Sequence, residues 1–164
     1  MKMIKGLHHN AYRCRDSEET RKFYEDFLGL KLVDAFEIET TQTGRDALVL
    51  HSFYEMDDES FLAFFEAPGQ PFEFKKQHDF DLHIALEVEH EHLQRMFDKG
   101  KDAKIETRGI SDHGFIQSIY FRDPNGYVIE LTAKIKGSVE IEKKPKNPYA
   151  VLENWQAHKS IKPR

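Results

Sequence analysis

The sequence predicts an α+β fold built from two tandem β-α-β-β-β units, and three observations carry that expectation. The order of elements runs through once and then begins again near Phe80. Each unit opens on a histidine, in His9-Asn10-Ala11 and His83-Ile84-Ala85. Each closes on an apolar run ending in a glutamate, Leu62 to Glu66 and Tyr127 to Glu130. Finally, no shift in composition separates the halves into independent domains, and 164 residues with thirteen phenylalanines suffice for one sizeable core.

Residues 4–15 alternate like a strand. Asp16-Ser17-Glu18-Glu19 then supplies helix-start residues ahead of Phe23, Tyr24, Phe27 and Leu28, and Gly29 ends that helix. Extended segments follow at 30–39, 46–55 and 60–66, separated by polar turns such as Thr43-Gly44 and Asp57-Asp58. The second round predicts a strand at 81–88, a helix over 90–100 ending at Gly100, and strands at 104–108, 115–122 and 126–134. Asp123-Pro124-Asn125-Gly126 forms the tight turn before the last of them. The units thus occupy about 4–66 and 80–134 of a domain covering 1–134. Residues 135–164 read as an arm, Lys-rich with Pro145 and Pro148, then a short helix from Tyr149 to His158 that carries Trp155. The arm is expected to pack across the sheet or a partner subunit, or to be partly disordered at its Lys162-Pro163-Arg164 end. The phenylalanines at 61, 64, 65, 72, 74, 80 and 115 would suit an aromatic ligand, and are read as core.

Several function classes fall away on composition. A net charge of -5, with bases scattered among acids, offers no footprint for nucleic acid. Apolar runs such as Phe61 to Phe65 are too short for a bilayer, and Met1-Lys2-Met3-Ile4-Lys5 lacks the apolar stretch of a signal peptide, so a soluble, cytoplasmic protein is expected. The single cysteine, Cys14, excludes an internal disulfide and a cysteine-rich zinc site. Its place in the alternation Asn10, Tyr12, Cys14 reads as a buried structural thiol.

Any one histidine is more often a surface or satisfied core residue than a ligand, but His9 and His83 share a position in the two units. On a strand His83, Ala85 and Glu87 share one face, turned away from the side that carries the helix. Glu130 shares a face with Val128 and Thr132; by the same count Glu66 shares one with Leu62 and Phe64, and both carboxylates are expected on the concave side of the sheet. A carboxylate in an apolar concavity needs a compensating cation, and two nearby imidazoles suggest a divalent metal. Two histidines and one carboxylate suit non-haem Fe(II); a second carboxylate suits Zn, Ni, Co or Mn.

These residues resemble the vicinal oxygen chelate superfamily, which includes glyoxalase I, bleomycin-resistance proteins, fosfomycin-resistance thiol transferases, methylmalonyl-CoA epimerases and type I extradiol dioxygenases. The resemblance covers about residues 4–134 and rests on His9-x-Ala11, Phe23-Tyr24 before Leu28-Gly29-Leu30, His83-x-Ala85, and Asp123-Pro124-Asn125-Gly126 leading to Glu130. It implies a mixed sheet curled around a metal held by His9, His83 and Glu130, with Glu66 in the place of the fourth ligand of glyoxalase-like members. The stretch from His113 through Ile119-Tyr120, Asp123-Pro124-Asn125-Gly126 and Glu130 is similar to the extradiol ring-cleavage pattern. That likeness implies an Fe(II) dioxygenase using O2 on a small catechol-like or other bidentate oxygen substrate, with Tyr120 and His113 as catalytic residues. Two departures stand beside it: Ser111 precedes His113 where that family prefers other residues, and its classical members are about twice as long. The competing implications are a glyoxalase-like lyase or epimerase with a four-ligand metal, and a metal-free small-molecule binding module. Members of the superfamily are commonly homodimers, so a homodimer is expected here.

Overall fold

The computed structural model describes residues 4–137 and 147–159. The Lys-rich stretch with Pro145 and the Lys162-Pro163-Arg164 end lie outside the described residues. The chain runs β1 (His9–Cys14), α1 (Ser17–Arg21), which continues as a π-helical segment over Lys22–Phe27, then β2 (Lys31–Thr40), β3 (Asp46–Glu55) and β4 (Phe61–Glu66). The second unit follows as β5 (His83–Glu87), α2 (His90–Asp102), β6 (Thr107–Asp112), β7 (Ile116–Arg122) and β8 (Val128–Lys134), and α3 (Pro148–His158) comes last. Each unit forms its own four-stranded mixed sheet, in the orders β1-β4-β3-β2 and β5-β8-β7-β6, with the first and last strands of each unit parallel. The tandem β-α-β-β-β fold predicted from the repeat is the fold observed.

The boundaries differ from the expected ones where a ladder partner or a close contact decides them. Residues 4–8 alternate but stay outside the sheet, because β4 begins at Phe61, whose N–H donates to the His8 carbonyl at 3.0 Å. Helix α2 does not end at Gly100. A Cβ there would lie 2.5 Å from both the Thr107 hydroxyl and the Phe121 ring, so this glycine is a point of close approach inside the helix. The strand expected at 104–108 therefore starts at Thr107, after a turn with Lys104 at φ 57°.

Both helices cover the same side of their sheets, and the buried side chains form one core across the units. Leu62 and Phe64 of β4 are fully buried in it with Tyr24, as are Ile119 and Ile129 of the second unit. Phe27 meets Phe121 edge-on at 5.2 Å, joining the halves. Cys14 is buried as expected, and burial pushes its thiol up. Of the phenylalanines read as core, Phe64 is, whereas Phe61, Phe65, Phe72 and Phe115 are half-buried and Phe74 and Phe80 are exposed. No side chain of α3 is buried, so Tyr149, Val151, Leu152 and Trp155 lie open rather than packed across the sheet. No helix among the described residues is long and apolar enough to cross a membrane.

The turn before β8 fastens the second unit to the first. Buried Asp123 accepts from the Tyr24 hydroxyl at 2.9 Å, the Asn125 N–H at 2.9 Å and side-chain amide at 3.0 Å, and the Tyr127 N–H at 2.8 Å. Asn125 in turn accepts from the Arg15 N–H at 2.8 Å, and the Tyr127 hydroxyl donates to the Arg13 carbonyl at 3.0 Å. Gly126, at φ +95°, lets the loop ahead of β5 pass: a Cβ would stand 2.5 Å from the Lys75 backbone N and O. Gly126→Ala is therefore expected to destabilise the protein by at least about 2 kcal/mol, from a left-handed conformation and a backbone clash together. A urea titration checks this through the fall in the unfolding midpoint.

Candidate metal and substrate site

Glu130 sits between Ile129 and Leu131 on β8, yet the three do not share an environment. The pleat sends both apolar side chains into the helix-covered core and the carboxylate to the opposite face, where it is 6% exposed. The register sets Ala85 of β5 on one side of Glu130 and Tyr120 of β7 on the other. His83, two residues before Ala85 and on the same face of β5, brings its Nε2 to 3.1 Å from the Glu130 Oε2.

The protonation of His83 follows from its other nitrogen. Nδ1 lies 2.8 Å from the Asp79 carbonyl oxygen, which can only accept, so Nδ1 carries the hydrogen. In the neutral ring Nε2 then presents a lone pair to a carboxylate oxygen. Two acceptors at that distance require a cation, either a proton on the ring or a metal ion at the pair. A histidine whose outer nitrogen is held by a carbonyl is also the usual arrangement of a metal ligand. On these observations His83 and Glu130 fit a divalent metal.

Around the pair is a chain of polar contacts. The Tyr120 hydroxyl donates to the Glu130 Oε1 at 3.3 Å, and the His113 Nε2 is 3.1 Å from that hydroxyl. Burial, and then the Glu130 charge, push the Tyr120 phenol up, so it stays a donor at neutral pH. Arg108 holds the Asp79 carboxylate at 2.8 Å and stands over the Tyr120 ring at 5.3 Å. Hydrogen bonding to Arg108 holds the Asp79 carboxyl below the usual carboxylate range. Neither Arg108 nor Asp79 was legible in the sequence, since Asp79 serves His83 through a backbone carbonyl that any residue would supply.

Thus the structure brings His83, Glu130, Tyr120 and His113 within contact of one another. His9 does not join them. It pairs with Phe61 in the register that gives His83 its Val128, so the two histidines are equivalent in their units, but it is exposed, with its Nδ1 2.7 Å from the His8 Nδ1. Among the described residues no group of three or more His, Cys, Asp or Glu is placed to hold a metal ion.

Glu66 stands on the other face from the one expected. Leu62 and Phe64, with which it shares a face, point into the helix-covered core, and Glu66 accepts from the Ser17 N–H at 2.7 Å at the start of α1. The counterpart of Glu130 in the first sheet is Ala63, which pairs with Ala11 as Glu130 pairs with Ala85. The two closing glutamates lie three positions apart in register, and an odd offset changes the face.

The open face of the first sheet carries instead an aromatic cluster. His51, buried, stacks on Phe65 at 3.7 Å and 13°, and its Nδ1 donates to the Phe64 carbonyl at 3.0 Å. Phe53 lies 4.3 Å from His51 and 5.8 Å from His9. The sequence held no sign of this role for His51, which alternation alone leaves among the unremarkable histidines.

The model of the Glyoxalase/Bleomycin resistance protein/Dioxygenase superfamily matches residues 6–131. No protein of curated description is matched by the sequence. Among solved structures, the fold is similar to a glyoxylase/bleomycin resistance protein/dioxygenase domain from Frankia sp. EAN1pec, at 16% identity over 82% of this chain and 95% of that one, with a TM-score of 0.66. It is similar to a glyoxalase/dioxygenase from Nostoc punctiforme, at 21% identity over 82% and 94%, with a TM-score of 0.64. It is also similar to the fosfomycin resistance protein FosX from Listeria monocytogenes complexed with Mn(II) and sulfate, at 19% identity over 88% and 100%, with a TM-score of 0.63. With the family match running through both β-α-β-β-β units, from ahead of His9 to beyond Glu130, the chain belongs to the glyoxalase/bleomycin resistance protein/dioxygenase superfamily.

Proposed function

We propose that the protein is a divalent-metal enzyme of the extradiol dioxygenase type, acting with O2 on a small catechol-like substrate. The observation that carries this reading is the His83 and Glu130 pair, with Nδ1 fixed by the Asp79 carbonyl and the Tyr120 and His113 side chains beside it. The third ligand in this reading is His9 of a second copy, because His9 is the register equivalent of His83, is exposed, and has no such carboxylate pair among the described residues.

A metal ion bound there, Fe(II) in this reading, supplies Lewis acidity and open positions for two adjacent oxygens. The chain does the rest. Glu130 takes the single hydrogen of the Tyr120 hydroxyl, and Tyr120, kept protonated by burial, offers its oxygen as an acceptor for a substrate hydroxyl and orients it. His113, exposed and within 3.1 Å of that phenol, passes protons between the site and solvent and acts as general acid.

The test is oxygen uptake by protein reconstituted anaerobically with Fe(II), against a panel of catechols, with metal content measured on the same sample. Oxygen consumption with a ring-opened product that disappears in His83→Ala supports the reading. Stoichiometric metal with no oxygen consumption overturns it in favour of proton-transfer chemistry at carbon. Mixing His9→Ala copies with His83→Ala copies tests the shared site, since such a pair retains one complete ligand set only if the set spans two chains.

Glu66→Gln separates the three-ligand from the four-ligand arrangement. Because Glu66 faces the start of α1, the variant is expected to keep its metal and turnover and to lose about 0.3–1 kcal/mol of stability, the charge's share at a helix N-terminus. Loss of metal in Glu66→Gln would restore the four-ligand alternative.

A further inference from the structure

We infer that His8 is the positioning residue of His9: its Nδ1 accepts the Nδ1 hydrogen of His9, which fixes the His9 ring in the tautomer whose Nε2 is free to bind a divalent metal. This role rests on the metal reading of the site and adds to the ligand set a residue that touches no metal.

Consecutive side chains on a strand point to opposite faces, so neighbouring histidines inside a ladder do not meet. His8 and His9 meet because the sheet begins between them. β1 starts at His9, which pairs with Phe61, while His8 precedes the strand and is held by its backbone, whose carbonyl accepts from the Phe61 N–H at 3.0 Å. The two rings then stand edge-on at 77° with centroids 5.0 Å apart, and the Nδ1 atoms close to 2.7 Å. The His8 ring also leans on Phe61, at 5.9 Å and 53°, and the His9 ring meets Phe53 edge-on at 5.8 Å. Both imidazoles are exposed, yet each is held by the other and by a phenylalanine.

A neutral imidazole carries one hydrogen, so at 2.7 Å one of these Nδ1 atoms donates and the other accepts. Where His8 donates, the hydrogen of His9 lies on Nε2 and closes that nitrogen to a metal. Where His9 donates, its Nε2 presents a lone pair. His83, the register equivalent of His9, displays the second arrangement: Nδ1 donates to the Asp79 carbonyl at 2.8 Å and Nε2 faces Glu130 at 3.1 Å. The two units hold their histidines by different means. In the second unit the acceptor is a backbone carbonyl, which any residue supplies. In the first it is a side chain, so the identity of residue 8 decides whether the His9 Nδ1 has that partner.

The experiment compares the full-length protein with His8→Leu, which keeps bulk without an acceptor, and His8→Asn, whose side-chain oxygen restores an acceptor in the place of Nδ1. Residue 8 is exposed and lies outside the sheet, so both variants should fold, which circular dichroism checks. In the metal-free proteins, nitrogen NMR of isotope-labelled histidine rings reads the His9 tautomer. The hydrogen is expected on Nδ1 in the parent and in His8→Asn, and mainly on Nε2 in His8→Leu. Chelator competition with Co(II) should show affinity reduced about 10–100-fold in His8→Leu and restored to near the parent's value in His8→Asn. A His9 hydrogen that stays on Nδ1 in His8→Leu, or a Co(II) affinity in that variant equal to the parent's, overturns the role of His8 and leaves the metal reading standing. Equal loss of affinity in both variants with the tautomer unchanged marks a merely structural role and overturns it as well. A parent protein that takes up no Co(II) sinks the metal reading, and the tautomer, read without metal, still decides whether His8 holds His9.

Discussion

His83→Ala and Glu130→Gln are each expected to reduce divalent-metal affinity by more than about a hundredfold, beyond the 10–100-fold typical of losing an outer-shell partner. The reason lies in the pairing of two acceptors. The His83 Nε2 and the Glu130 Oε2 face each other at 3.1 Å with the Nδ1 hydrogen already committed to Asp79, so each contributes a lone pair that a cation can use and neither can satisfy the other when both are unprotonated. Glu130→Gln is nearly isosteric on a face outside the apolar core, so the fold should survive while a neutral amide replaces the anion. Arg108→Ala should act more weakly, by about tenfold, since it frees Asp79 without removing a ligand. Tyr120→Phe should leave metal content unchanged and cut turnover by about a hundredfold or more. Equilibrium competition with a chelator, read by elemental analysis, checks the first three. Wild-type metal affinity in His83→Ala would end the metal-centre reading.

Asp123→Ala is expected to be the most damaging single change to stability, at about 3 kcal/mol or more, with a drop in Tm on the order of 10 °C. Asp123 accepts four hydrogen bonds while 2% exposed, and its loss strands the Tyr24 hydroxyl, two groups of Asn125 and the Tyr127 N–H in a place water does not reach. Burial pushes its carboxyl above the usual carboxylate range, and the donors from Asn125, Tyr127 and Tyr24 pull against that shift. The same turn ties the second unit to α1 and β1 of the first, so the damage should appear as loss of cooperativity between the halves as well as lower stability. Tyr24→Phe removes one donor only and should cost about 1 kcal/mol. Urea unfolding followed by tryptophan-independent circular dichroism reads both values, because Trp155 lies in the exposed α3 and does not report on the core. An Asp123→Ala protein within about 1 kcal/mol of the parent would show that the turn does not couple the units.

The architecture was legible because it depends on local periodicity repeated twice. Side chains on a strand alternate with a period of two, so a histidine opening each unit and a glutamate closing the second could be assigned to a face from neighbours alone. The alternation that buries Ile129 and Leu131 places Glu130 opposite them, and Tyr120 falls beside it by the same count. Asp16 at the start of α1 was legible for a similar reason, since capping needs only the residue and the three that follow.

What alternation could not supply was the identity of the face that the helices cover. Glu66 was assigned with Leu62 and Phe64 correctly, but those two point into the core, so the carboxylate went with them to the start of α1. Matching the closing runs by their final glutamate hid an offset of three residues that only the ladder register reveals. Gly100 likewise reads as a helix end, and its actual reason, the approach of Thr107 and Phe121, comes from residues later in the chain.

By itself, then, the sequence determined the repeated strand and helix order, the equivalence of His9 and His83, and the side of β8 on which Glu130 lies. These follow from local backbone geometry, which each segment carries with it. Only the tertiary structure decided that Glu66 meets the start of a helix, that Asp79, paired with Arg108, supplies the carbonyl that meets His83, that His9 stands apart from the His83 and Glu130 pair, and that Phe61 and Phe65 leave the core for an open aromatic face. Each of these rests on which distant segments meet and in what register, and contacts across the sheets are set by packing of the whole chain rather than by the pattern of any one segment.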